Sequence, residues 1–359
     1  MFNRRKNILV LGSDGMLGYD VINLLIAESV KKDSNIGIVH GIQRGDKIPF
    51  SNEIGFNYYL DNSVHYDYCI NCIAYTNTSN CDPKNKIGFD TSYRLNAVAP
   101  LTIAKCCKKH KIHLIHISTD YVFSEHTTGV WDECMLINNN TDDENDTNID
   151  EHKHDYLSHV SFGISDIPSP INVYGMHKLI GEENIAKVYN YDTLKYSIIR
   201  TSWLYGNHKH KSFIHRFLKN AVYTVTKTNE VVTMTTDEFS IPTSTFFITN
   251  VIKQIINEDT IGRGVVHACP KTEHGGGISR FEFAQYILDH IRRWMQIYEP
   301  TYNEVINKIK LYPQVRYSAG RIQPMVSTLR PTVCMDGYWN TWLEKFIDSN
   351  INDIINFVF

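Results

Sequence analysis

Residues 7–11 (NILVL) form an unbroken apolar run that passes at once into Gly12-Ser13-Asp14-Gly15-Met16-Leu17-Gly18 and then into apolar residues at helical spacing, Val21, Leu24, Leu25 and Ile26. A buried strand, a glycine turn and a helix in that order open a βαβ unit, which commits the chain to an α/β architecture with a parallel, doubly wound sheet of Rossmann-like type. Glycines let the backbone turn tightly and approach a pyrophosphate, which lies on the amides and the positive end of the helix. Gly12, Gly15 and Gly18, with Asp14, Met16 and Leu17 among them, are therefore candidate cofactor contacts, although the spacing is GxxGxxG where the dinucleotide pattern reads GxGxxG.

A second strand over residues 36–42 ends in Gln43-Arg44, where an acidic residue would take the ribose 2′-hydroxyl of NAD. Arg44 suits a 2′-phosphate instead, so NADPH is the preferred cofactor and NADH the other donor to consider. Asp61, placed after a further short strand, is a candidate contact on the adenine side. The apolar run 68–74 (YCINCIA) reads as a strand covered on both faces. It is followed by Tyr75-Thr76 and by a helix from about residue 93 to 110. Strand 112–117 then delivers Ser118-Thr119-Asp120-Tyr121-Val122-Phe123 to the carboxyl edge of the sheet, where open α/β sheets bind ligands.

In the stretch 170–182 (PINVYGMHKLIGE), Tyr174 and Lys178 are four residues apart, on one face of a helix. An ammonium near a phenol favours the phenolate, which would make Tyr174 a general acid toward a carbonyl.

Composition excludes several classes. Lysines and arginines number 36 against 39 acidic residues, a formal charge of −3, which gives no basic surface for nucleic acid. No apolar run reaches eighteen residues, and the basic start MFNRRK leads straight into a strand rather than into a leader. A soluble cytoplasmic protein without membrane contact is expected. Cys69 and Cys72 form a CxxC inside a strand, where residues three apart face opposite ways, and the histidines show no ligand spacing, so no metal is expected.

Strand 196–200 (YSIIR) passes into Thr201-Ser202-Trp203-Leu204-Tyr205-Gly206, after which strand–helix alternation becomes irregular. The chain divides into a dinucleotide-binding domain, 1–201, and a substrate lobe, mainly 202–359, with a return to the sheet at about 244–270. An Asn- and Asp-rich stretch, about 134–166, reads as an exposed, mobile insertion.

Five strings in order, INCIAYT (70–76), STDYVF (118–123), INVYGMHKLIGE (171–182), RTSWLYG (200–206) and DEFSIPT (237–243), resemble the dTDP-4-dehydrorhamnose reductase family of the extended short-chain dehydrogenase/reductase superfamily. The resemblance runs from residue 7 to about 329, with 134–166 as its main gap. It implies reduction of the C4 ketone of a nucleotide-linked 6-deoxy-4-keto sugar. Thr119 would bond the ketone oxygen, Tyr174 donate the proton, and Lys178 hold the nicotinamide ribose while lowering the tyrosine pKa. Ser118, Ala74, Tyr75 and Asn96 would line the cofactor cleft, and Tyr121, Trp203 and Pro242 the substrate side. The family's late Arg-Pro pair is Gln323-Pro324 here, so Arg321 becomes the candidate for the diphosphate. The family's relatives admit a homodimer.

Two other readings stay open. Bifunctional epimerase/reductases resemble this family but carry a cysteine directly after the threonine, where this chain has Asp120; Asp120 and His177 are its candidate proton carriers. A non-catalytic NADP-binding module like the methionine adenosyltransferase beta subunit also resembles the family, but lacks a tryptophan at the position of Trp203.

Overall fold

A computed structural model describes residues 4–46, 52–127, 155–208, 210–228, 230–258, 260–315, 323–333 and 335–359 of the chain. In chain order its elements are β1 (Lys6–Leu11), α1 (Met16–Ser29), β2 (Ile36–Ile42), α2 (Glu53–Asp61), β3 (Tyr68–Asn71), α3 (Lys86–Tyr93), α4 (Ala99–Lys109), β4 (His113–Thr119), α5 (Val173–Val188), β5 (Tyr196–Thr201), β6 (Leu204–Tyr205), α6 (Phe213–Tyr223), β7 (Val232–Thr235), β8 (Phe239–Ser240), β9 (Thr243–Ser244), α7 (Thr245–Asn257), β10 (Gly264–His267), β11 (Ile278–Ser279), α8 (Arg280–Tyr298), α9 (Asn303–Lys308), β12 (Leu311–Gln314) and α10 (Trp339–Val358).

Six strands make one sheet in the order β10-β5-β4-β3-β1-β2, each pair parallel. Side chains alternate across it, so Ile8, Val10, Ile70, Ile115 and Ile199 pack with α1 and α7, while Leu9, Leu11, Cys69, Leu114 and Ile198 pack with α2, α4 and α5. Both faces are covered, which is why these strands read as continuous apolar runs. The order reverses between β1 and β3. The crevice outside the carboxyl ends of those strands is the place for a ligand.

The expected short strand before Asp61 is instead the helix α2. Asn52 caps it, its side chain accepting from Ile54 and Gly55, and Phe56 and Leu60, four apart, are the buried pair. The long helix expected from 93 starts earlier, at Lys86, and passes through a π-helical turn, Arg94–Val98, before α4. Pro100 has no N–H to give the Asn96 carbonyl, and Gly181 of α5 comes so close that a Cβ there would lie 2.2 Å from that same oxygen.

Residues 202–244 leave the sheet, α7 and β10 return to it, and 278–315 leave again. What lies outside has its own core, formed by Phe123, Phe217, Phe239, Phe283, Leu288, Leu343 and Ile347 among others. Of the expected insertion, 155–166 falls within the described residues and belongs partly to this core. Leu157 and Phe162 are buried, and the Phe162 N–H donates to the Thr328 carbonyl at 2.8 Å. That segment is therefore anchored at Leu157 and Phe162, with Asp155, His159, Ile164 and Ser165 exposed, and the remainder, 134–154, lies outside the described residues.

Candidate active site

The glycine turn behaves as a phosphate cradle should. Gly12 has φ +77°, open to glycine at little cost, and both Gly12 and Ser13 donate N–H to the Ile42 carbonyl, at 2.9 and 3.0 Å. A Cβ on Gly18 would lie 2.1 Å from the Gly12 carbonyl oxygen, so only glycine lets α1 sit this close to the turn. The helix starts with Gly15 as N-cap, no side chain caps it, and its first turn carries no acid. Its leading N–H groups are thus left for an anion, and the residues fit the diphosphate of a dinucleotide. Leu17 is different: its side chain is in the core, so only its backbone is placed for that role. Asp14 Oδ1 accepts the Arg44 N–H at 3.3 Å, and Arg44 itself is exposed at the end of β2. Asp61 is not part of this end. It closes α2 and lies 3.8 Å from His110 at the close of α4, on the amino edge of the sheet.

Two further expected cofactor contacts, Asn96 and Ser118, are engaged in supporting hydrogen bonds. Asn96 is fully buried and clamps Tyr75, accepting its N–H and donating to its carbonyl, both at 3.0 Å. Ser118 Oγ donates to Glu182 Oε1 at 2.5 Å, and Glu182 in turn pairs with Arg200 at 2.7 Å in the interior. Ala74 and Tyr75 do lie on the half-buried loop just past β3.

Thr119 ends β4 and Tyr174 opens α5, whose N-cap Asn172 accepts from Gly175 at 2.7 Å. Gly175 brings the two together: a Cβ there would lie 2.1 Å from the Tyr121 carbonyl. Burial holds the Tyr174 phenol above the ordinary tyrosine value, and Thr119 beside it pulls the other way. Thr119 Oγ1 donates to Asp120 Oδ1 at 3.0 Å and accepts the Tyr121 N–H at 3.2 Å. Asp120 Oδ2 accepts from Ser240 at 2.8 Å and Ser327 at 2.7 Å, while burial raises the carboxyl to about 6.

Lys178 corrects the expectation drawn from the spacing. Its Nζ donates to the Ile117 carbonyl at 2.6 Å and lies 3.3 Å from His116 Nε2, both on β4. Burial lowers it to about 8. One helical turn brings the two residues to one face, yet the lysine's long stem takes its charge down to the strand. His177, the other proton-carrier candidate, is buried between Phe89 and Tyr93 with Nδ1 3.0 Å from Ser92 Oγ, away from the cleft.

Thr119, Asp120, Tyr121, Tyr174 and Trp203 line a cavity of about 480 Å³, together with Arg216, Met234, Glu238, Arg280, Gln314 and Gln323. Trp203 has φ +36°, a strained conformation for a bulky residue. The Arg280 guanidinium stacks on its ring at 3.5 Å and pairs with Glu238 at 3.6 Å. Tyr121 meets Tyr174 edge to face, and its hydroxyl donates to Gln323 at 3.4 Å. Pro242 is buried beside Ile241, whose carbonyl accepts from Ser202, so it shapes the loop under Trp203 and does not line the cavity. Arg321 lies outside the described residues. A second cavity of about 380 Å³ opens beside the first, lined by Phe213, Phe217, Ala221, Val232 and Met234. Exposed Arg216 lines both, and makes no ion pair among the described residues. Neither Arg216 nor Arg280 was foreseeable, since each is one arginine on an amphipathic helix.

Among the described residues no cluster of histidine, cysteine, aspartate and glutamate could hold a metal, and no helix is long and apolar enough to cross a membrane.

The chain matches the family described as RmlD substrate binding domain over residues 6–140 and 154–324. The chain belongs to that family. The unmatched stretch, 141–153, is narrower than the gap expected at 134–166. A dTDP-4-dehydrorhamnose reductase of Mycolicibacterium smegmatis is 26% identical over 63% of this chain and 54% of its own length, so the chain spans only about half of that relative. A dTDP-4-keto-6-deoxy-D-glucose reductase of Streptomyces niveus is 24% identical over 89% of this chain and 87% of its own. The fold is that of two solved dTDP-4-dehydrorhamnose reductases, each covering 96% of this chain and 99% of the other. One is from Clostridium acetobutylicum (TM-score 0.70, 22% identical) and one, in complex with NADP, from Bacillus anthracis (TM-score 0.69, 20% identical).

Proposed function

We propose that this protein reduces the C4 ketone of a nucleotide-linked 4-keto-6-deoxy sugar, using a nicotinamide cofactor at the glycine turn. The observation that carries the proposal is the placement of Tyr174 and Thr119 together on the wall of a cavity that shares Arg216 with an adjoining apolar slot. A glycosyl group fits the first chamber, a diphosphate the arginine at the junction, and a pyrimidine base the slot between α6 and β7. The bound cofactor supplies hydride to the carbonyl carbon. Tyr174, kept protonated by burial, hydrogen-bonds the carbonyl oxygen and gives up its proton as that oxygen becomes an alkoxide far more basic than a phenolate. Thr119, beside the phenol and itself held by Asp120, helps to place it. Lys178 contributes positive charge beneath the site, present below about pH 8. NADPH is the preferred donor because exposed Arg44 can meet a 2′-phosphate, although Asp14, at its backbone, keeps a carboxylate within reach of a 2′-hydroxyl.

The test is cofactor oxidation with dTDP- and UDP-linked 4-keto-6-deoxy sugars, run with NADPH and with NADH. Tyr174→Phe should lower kcat by about 10²–10⁴-fold while binding the cofactor as before. Saturable NADPH binding without turnover on any of these sugars would instead identify a binding module. Asp120, lining the cavity with a pKa of about 6, favours one second reading, an added epimerase activity. Deuterium at C3 or C5 after incubation in deuterated water would establish it, and its absence would leave a pure reductase.

A further inference from the structure

We infer that His116 is a positioning residue that presents a ring N–H to Lys178 and so disfavours the charged form of that lysine. Asn71 lies opposite His116 on the neighbouring strand β3. Asn71 Oδ1 accepts the Ile73 N–H at 3.1 Å, which fixes the orientation of the amide. Its Nδ2, a donor only, is therefore what faces His116 Nδ1 at 3.0 Å. Turning the amide over would set two donors against each other at Ile73. His116 Nδ1 must carry a lone pair, and a neutral imidazole then carries its proton on Nε2.

That Nε2 is 3.3 Å from Lys178 Nζ. Against an ammonium the contact would oppose donor to donor; against an amine it meets a lone pair. The ring, the amide and the lysine are all almost fully buried, so water cannot relieve a mismatch. His116 is itself held neutral by that burial and by the neighbouring lysine. Two groups pull the other way. Glu182 on the lysine's own helix and Cys72 beyond β3 both favour the ammonium. Glu182 is already shared with Arg200 of β5 and Ser118 of β4, which weakens its hold. The balance leaves Lys178 close to neutrality, the range in which a group exchanges protons readily. Only the kinetic consequence rests on the reductase reading. The proton positions do not.

Long-range ¹⁵N–¹H spectra of the histidines in the whole protein would show which nitrogen of His116 carries the proton, assigned by its loss in His116→Gln. Selectively ¹³C-labelled lysine, with the Lys178 signal assigned from Lys178→Arg, would give that residue's titration. The expected result is a proton on Nε2 and a midpoint near 8 in the unsubstituted protein. In His116→Gln, whose carbonyl can turn to the lysine, the midpoint should rise by about one unit or more, a tenfold gain in proton affinity. Asn71→Asp should do the same by taking the proton onto Nδ1, and serves if His116→Gln fails to fold. A proton on Nδ1 in the unsubstituted protein, or a midpoint unmoved in whichever variants fold, would overturn the inference. Failure of the reductase reading would show separately, as absent turnover with this titration intact.

Discussion

The two ends of the cleft are built from different material. At the end proposed for the dinucleotide the parts are backbone: the Gly12 turn, the uncapped start of α1, and a packing distance that only Gly18 permits. At the end proposed for the substrate they are side chains carried in from α6, β7, the turn before β8, α8 and β12 and held by one another, as Arg280 is by Trp203 and Glu238. A backbone site is confined to a few consecutive residues and fails as a unit. A side-chain site is spread along the chain and can be altered one contact at a time.

The largest expected effect tests the first half of that contrast. Gly18→Val would push a branched side chain into the Gly12 carbonyl, and should cost about 3 kcal/mol or more of stability along with nearly all dinucleotide affinity. Thermal unfolding and cofactor titration would check both, and a variant that kept its affinity would break the comparison. Arg216→Ala should act at one end only, raising KM for the nucleotide sugar by about 10–100-fold while leaving dinucleotide affinity and unfolding temperature in place. An equal loss of both affinities would show the ends to be coupled.

Asp120 is where the halves are tied, and its test is a pH dependence. Its folded pKa, about 6, stands above the ordinary aspartate value, so the folded state binds the proton more tightly and wild-type stability falls as pH rises through 6. Asp120→Asn removes that slope. Between pH 5 and 7.5 the stability of the variant relative to wild type should improve by about 1 kcal/mol, read from denaturant unfolding at each pH. A flat difference would mean that the carboxyl titrates as an ordinary exposed group.

Legibility in the sequence followed the same division. Strand 7–11, the glycine turn and the helix after it share one local pattern, and their placement needed nothing from elsewhere in the chain. That Thr119 and Tyr174 would share a cavity could be read because each sits at the end of a regular element, where position along a strand or helix decides what faces the crevice. Local pattern gave out where tertiary geometry decided. The spacing of Tyr174 and Lys178 could not reveal that the ammonium would find the Ile117 carbonyl before it found the phenol. Asn96 and Ser118 are polar residues in the right strings, but which way they point depends on a π-turn and on the Glu182–Arg200 pair. Leu157 and Phe162 were hidden because a polar neighbourhood masks two apolar residues whose partners lie far along the chain.

The lobe outside the six-stranded sheet is laid down in two instalments with α7 and β10 between them. Neither lobe can therefore be cut free or transplanted at a single junction. Any recombinant that exchanges specificity with a relative needs crossovers on both sides of the returning strand.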